Sequence, residues 1–178
     1  QCALYKCNSK RKLENALTIE PGQLKLINSV IKYSHFEIDK KDSAEKRQIT
    51  APKYTLKQIQ RRILRLIQFI ERPEWVIAGT KEKSYIDNGE FHLKSNYVLT
   101  VDIKKFYDNC QREYVYRFFR DKMLNSPDVA KILTDIVTYE GDIPTGCPTS
   151  QLIAYYAYKD MFASIKRIAD NYGCLFSL

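Results

Sequence analysis

The sequence predicts an α+β protein, and three observations carry that prediction. Apolar residues recur at helical spacing in several stretches, most clearly at Leu56, Ile59, Ile63, Leu66 and Ile70. Two runs alternate with the period of a strand, one within residues 35 to 50 and one from 97 to 103. These segments interleave without the regular strand–helix–strand rhythm of a parallel sheet. With 178 residues, the chain suffices for one domain, or two intertwined subdomains, with a real core.

Residues 10 to 34 read as two short helices. Their break falls at Thr18 to Gly22, where Thr18 or Glu20 would be an N-cap and Pro21 would fill the first turn. His35 to Ile38 and Arg47 to Ile49 form hairpin arms around a polar tip from Lys40 to Lys46, and Pro52 ends the hairpin. From about Thr55 to Glu71 a helix buries its apolar stripe and turns Lys57, Arg61 and Arg65 to another face. Residues 73 to 96, punctuated by Pro73, Gly79 and Asn88-Gly89, read as loop with short helical turns. The next strand puts Tyr97, Leu99, Val101 and Ile103 on one face, and Val98, Thr100 and Asp102 on the other. Helices near 112 to 124 and from Pro127 to Tyr139 precede a turn-rich loop, Gly141 to Pro148. Thr149 or Ser150 then caps a long helix to about Asn171, Gly173 stops it, and Cys174 to Leu178 begins another strand.

Composition narrows the partners. Lys plus Arg number 29 against 21 Asp plus Glu, a net charge of +8. The excess is concentrated: residues 39 to 65 hold nine basic and three acidic side chains. Clustered cations suit a polyanion, and thirteen Tyr with eight Phe supply stacking surfaces, although a solvated basic face has the same composition. The five cysteines are scattered and form no CxxC pair, which argues against zinc and for a reducing compartment. No apolar run reaches membrane-span length and no signal-peptide pattern is present, so no membrane partner is expected.

Three segments carry chemistry. The strand ending at Asp102 offers one carboxylate, either a plain strand-to-turn Asp or an oxygen ligand for a hard cation. The segment Ile143-Pro-Thr-Gly-Cys-Pro-Thr-Ser150 is a proline- and glycine-fixed loop feeding a helix start. It reads as a tight turn into the helix or as a place where backbone approaches an anionic ligand. The hairpin tip, with Lys40 and Arg47, is a solvated turn or a basic flap that closes over phosphates.

In order along the chain, these segments resemble the blocks of the reverse transcriptase family, over nearly its whole length. Leu99-Thr-Val-Asp-Ile-Lys-Lys-Phe-Tyr107 is similar to the first catalytic block, and Ile143 to Ser150 to the block beneath the incoming nucleotide and template. Arg47-Gln-Ile-Thr-Ala-Pro52 and Leu56-Lys-Gln-Ile-Gln-Arg61 resemble fingers blocks of bacterial enzymes. Ala78-Gly-Thr-Lys-Glu-Lys-Ser84 resembles the block between fingers and palm, and Asn88-Gly-Glu-Phe-His92 a retron-type signature with Gly89 in place of Ala.

The resemblance implies a right-hand polymerase fold, here fingers plus partial palm without a thumb. Its parts would be an N-terminal helical segment (1–34), fingers (35–96), the first catalytic block of the palm (97–109), a connection (110–148), and a palm helix with the start of a catalytic hairpin (149–178). It implies RNA-directed DNA synthesis on an RNA template with a DNA or RNA primer, using dNTPs and two Mg²⁺ ions. Asp102 and the Ile103 carbonyl would be metal ligands. Lys40, Arg47, Lys105, Phe106, Tyr107, Thr145 and Gly146 would bind the nucleotide, with Tyr107 the ring that excludes a 2′-hydroxyl. Lys57, Arg61, Arg62, Lys81, Pro148, Thr149 and Ser150 would meet nucleic acid, while His92 would pack or cap.

Thr145 stands where many relatives carry Gln, and Gln151 where many carry Pro. The family's Tyr-x-Asp-Asp block would follow Cys174 to Leu178, so residues 1 to 178 alone are expected not to polymerise. Asp102 is expected near Ser177 and Leu178, with the Pro144 to Ser150 loop close by. Retron type implies a bacterial cytoplasmic protein, a cognate structured RNA and a role in phage defence. Competing readings are a group II intron or abortive-infection enzyme, an RNA-dependent RNA polymerase using Asp108 as a second carboxylate, and a non-catalytic RNA-binding module.

Overall fold

The computed structural model describes residues 2 to 39 and 46 to 178. Ser9 starts the first helix, α1 (Lys10–Leu17), by accepting the Lys12 N–H on its hydroxyl at 3.3 Å. Thr18, expected to open a second helix, closes the first instead: it adopts φ 58°, and its N–H returns to the Asn15 and Glu14 carbonyls. The buried Glu14 carboxylate accepts the Gly22 N–H at 2.7 Å. Glu14 thereby caps the 3₁₀ turn Gln23–Leu26, which continues into α2 (Ile27–Val30).

The hairpin forms in the expected place. Strands β1 (Tyr33–Asp39) and β2 (Lys46–Pro52) pair antiparallel, with Tyr33 opposite Pro52 and His35 opposite Thr50. The tip between them lies outside the described residues. Helix α3 (Tyr54–Ile67) follows and buries Leu56, Ile59, Gln60, Ile63 and Ile67. That row replaces the expected Leu66 and Ile70, which are only half-buried. The 3.6-residue period brings position 67 back under position 63, and it brings Gln60 into the row as well.

The core lies between α3, α1, α6 (Pro127–Val137) and a helical run made of α5 (Arg112–Arg117) and the π-turn Phe118–Lys122. Leu13, Leu56, Ile63, Phe119, Leu133 and Ile153 are fully enclosed there. Pro127 fills the first turn of α6, where its missing N–H costs nothing.

Four expectations are corrected. Residues 97 to 103 form no strand, and Tyr97, Leu99 and Val101 are 94%, 87% and 77% exposed. A strand needs a ladder partner, and none of the described segments supplies one. Cys174 to Leu178 is not a strand either, although Leu178 pairs with the 75–78 segment: its N–H donates to Trp75 O at 2.9 Å and its carbonyl accepts from Ile77 and Ala78, each at 2.7 Å. The long helix breaks at Tyr158 into α7 (Ser150–Ala157) and α8 (Lys159–Asn171). There the Tyr158 hydroxyl accepts the Gln111 N–H at 3.1 Å and donates to Asn109 O at 3.0 Å. Finally, Asn88-Gly89 lies inside a helix, α4 (Tyr85–Phe91), which is opened by a capping box of Ser84 and Asp87. Gly173 takes the left-handed stop position at φ 68°, as expected.

All five cysteines are free thiols. Among the described residues, no helix is long and apolar enough to cross a membrane.

Candidate nucleotide and nucleic-acid site

The loop from Ile143 to Ser150 is fixed from inside and from the hairpin. Ser150 Oγ donates to the Pro144 carbonyl at 2.5 Å, closing the loop on itself. The Gly146 N–H donates to Thr50 O at 3.0 Å, and Thr145 Oγ1 to Gln48 O at 3.4 Å. Only glycine permits this approach: a Cβ at Gly146 would stand 2.7 Å from Thr50 O and 2.9 Å from Ile49 Cγ2. Two sequence blocks about a hundred residues apart, Arg47 to Pro52 and Ile143 to Ser150, thus form one surface.

Phe106 and Tyr107 are half-buried against the core. The Phe106 ring lies 5.9 Å from each of Tyr107, Tyr158 and Phe162, centroid to centroid. Tyr107 begins a 3₁₀ turn (Tyr107–Asn109), and the Lys105 carbonyl accepts from Asn109 Nδ2 at 2.9 Å. Lys105 has φ 51°, a left-handed conformation that reverses the chain just before the aromatic pair and leaves its side chain exposed. Burial pushes the Tyr107 phenol up and Cys110 adds to that, while the Arg47 guanidinium pulls it down. The sequence assigned Arg47 and Tyr107 to one nucleotide site. Lys40, assigned there too, lies outside the described residues.

Asp102 and Ile103 are exposed and lie in no regular element. Ser177 and Leu178, expected beside Asp102, have other hydrogen-bond partners: Ser177 Oγ pairs with His92 Nε2 at 2.8 Å, and Leu178 pairs with Trp75, Ile77 and Ala78. His92 therefore ties the end of α4 to the 174–178 segment, which is a packing role. Asp108, the alternative second carboxylate, faces Asp142: burial raises the Asp142 carboxyl, and the Asp108 charge raises it further. Among the described residues no three His, Cys, Asp or Glu side chains gather, so a pair of divalent cations does not fit this donor set.

A basic track runs along the outer side of α3. Tyr54, Lys57, Arg61, Arg65 and Gln68 share the face opposite the buried row, and no acid interrupts the sequence from Lys46 to Ile70. Steps of four residues advance about 6 Å along a helix, close to the spacing of successive phosphates on a strand. Arg62 is not part of the track, because its Nε donates to Ala16 O at 2.9 Å and fastens α3 to α1. The track ends at a cleft of about 330 Å³ lined by Gln68, Arg72, Gly79, Lys81, Pro148 and Gln151. Lys81 and Pro148, two residues of the nucleic-acid assignment, both line this cleft. Gln151 fills the space over Gly79, where a Cβ would meet Gln151 Cδ at 2.9 Å. Thr149 and Ser150, expected to face nucleic acid, turn inward and are buried, with the Ser150 hydroxyl engaged by Pro144.

Sequence reasoning passed over Gln60, Tyr33 and Arg72. Gln60 did carry a signal, since it lies four residues after Leu56 and three before Ile63 on the buried row. Arg72, whose Nη1 donates to Gly79 O at 2.9 Å, had none, because only folding brings it to the cleft.

Comparison with known proteins places these features in a class. The retron Se72 reverse transcriptase of Salmonella heidelberg is 30% identical over 159 residues, covering 82% of this chain and 42% of that protein. The retron Ec86 reverse transcriptase of Escherichia coli is 23% identical over 163 residues, 90% of this chain and 51% of that protein. The retron Ec48 enzyme of Escherichia coli is 27% identical over 180 residues, 93% of this chain and 44% of that protein. No family model matches the chain. The chain spans about half the length of the curated relatives it matches. It is thus a relative of reverse transcriptases, and within that class the relationship is to those of retron type.

Proposed function

We propose that this chain supplies the fingers and the first part of the palm of a retron-type RNA-directed DNA polymerase. One observation carries the reading: the Pro144 to Ser150 loop seats on β2, the strand that carries Arg47. Arg47 binds the triphosphate of a dNTP through a guanidinium fork. Gly146 and Thr145 form the floor of the site, and the Tyr107 ring stands where a ribose 2′-hydroxyl would collide. Lys57, Arg61 and Arg65 follow the phosphates of the template toward the cleft at Arg72 and Lys81. Asp102 is one carboxylate of a larger set. Further carboxylates must join it before two Mg²⁺ ions can be held, and the described residues do not supply them. A bacterial cytoplasmic setting and a structured RNA partner follow from the same reading.

Sugar selection tests the assignment. In the full-length protein, Tyr107→Ala should admit ribonucleotides into a primer that the parent extends only with deoxynucleotides. An unchanged sugar preference rejects the gate. A parent protein that binds RNA without extending any primer favours the non-catalytic module instead.

A further inference from the structure

The buried polar group beneath the Pro144 to Ser150 loop has no role in the function proposed above. Gln60 is fully buried on the core side of α3, an unusual place for an amide. Its Nε2 donates to Ile136 O at 2.8 Å and lies 3.4 Å from the Tyr33 hydroxyl, while its Oε1 has no hydrogen-bond partner among the described residues. The Tyr33 hydroxyl in turn lies 3.5 Å from Thr138 O, and its ring packs at 4.5 Å on Tyr139. The Tyr139 hydroxyl meets His35 Nε2 at 3.3 Å, and His35 Nδ1 meets Thr50 Oγ1 at 3.2 Å. Thr50 is the residue whose carbonyl receives the Gly146 N–H.

Cys147, one residue further along the loop, is buried. Burial pushes its thiol up to about 11. α3 and the end of α6 meet at Gln60, and Tyr33, Tyr139, His35 and Thr50 carry that cluster through the hairpin to the Gly146 N–H of the loop. A buried amide with an unpaired oxygen is costly compared with Leu or Met at the same place, and such exceptions call for an explanation. Its donor end reaches the C-terminal turn of α6 and lies beside the Tyr33 hydroxyl at the base of the hairpin.

We propose that Gln60, acting with Tyr33, is a positioning residue that fixes the depth at which the Pro144 to Ser150 loop sits on the hairpin, and hence the floor beneath the incoming dNTP. The proposal rests on the polymerase reading for its substrate, but its geometry is testable without polymerase activity. In the full-length protein, Gln60→Leu removes the amide at similar volume, and Tyr33→Phe removes only a hydroxyl. Two readouts are needed: the rate of Cys147 alkylation by iodoacetamide, followed by peptide mass spectrometry, and KM against kcat for dNTP incorporation.

Both variants should speed Cys147 alkylation about tenfold and raise the dNTP KM by a similar factor, the size expected for one lost buried hydrogen bond. In each, kcat and the affinity for primer–template should hold. The double variant should be no worse than the worse single, because the two residues act through one cluster. Unchanged alkylation, an unchanged dNTP KM, or additive effects would each overturn the proposal. Should Gln60→Leu fail to fold, Tyr33→Phe carries both readouts. Should the parent show no DNA synthesis, the polymerase reading falls, and alkylation with its double-variant comparison decides the positioning role alone.

Discussion

The loop at Pro144 to Ser150 and the segment at Tyr97 to Ile103 come from the same reading of the sequence, yet they occupy opposite physical states. The loop is held by its own Ser150 and by two carbonyls of β2. The Asp102 segment has a strand pattern but no ladder, and its apolar side chains face solvent. An isolated β pattern does not make a strand, whereas a proline- and glycine-shaped loop needs only one docking surface to become fixed. The side chains for chemistry are thus divided between a unit built by its neighbours and a segment still without them.

Truncation should expose the contrast most strongly. Phe119→Ala, in the enclosed core, should cost about 3–5 kcal/mol in urea denaturation, while Leu99→Ala should stay within about 0.5 kcal/mol. A comparable loss at Leu99 would mean that the 97–103 segment is packed after all. A smaller loss is expected from Gly146→Ala, about 1–3 kcal/mol, since the added methyl must push the loop off the Thr50 carbonyl. If that variant is neutral, the loop is not pinned at this point.

The smallest effect concerns charge. Burial raises the Asp135 carboxyl, but hydrogen bonds from Lys131 and Arg112 outweigh it and hold the group below the usual carboxylate range. A lowered folded value means that the contribution is present above the ordinary carboxylate range and is lost as pH falls through the folded value. Asp135→Asn should therefore destabilise by about 1 kcal/mol at neutral pH. The difference should close as pH falls below the ordinary carboxylate range. A difference that persists in acid would assign Asp135 a packing role instead.

How much of this was legible depends on how local the cause is. The hairpin, α3, α6 and the Gly173 stop follow from period, proline and glycine, all of which act over a few residues. The seating of residue 146 on β2 was legible only through the order of blocks, because nothing local brings the two together. The break at Tyr158 was not legible, since it depends on a hydroxyl reaching Asn109 and Gln111, about fifty positions away. Arg62 looked like another cation of the basic stretch, and only the packing of α1 on α3 turned it toward Ala16. The strand at Asp102 failed for the converse reason: its local pattern was sound, but its partner was not among the described residues.

The seating of the loop on β2 also bears on self-association. The carbonyls of Gln48 and Thr50 lie two residues apart, so they project from the same side of the strand, where an edge offers its unpaired groups to another chain. Thr145 and Gly146 engage both of them. The loop thus works as a stopper on the sheet, occupying two of the carbonyls that a third strand would use there.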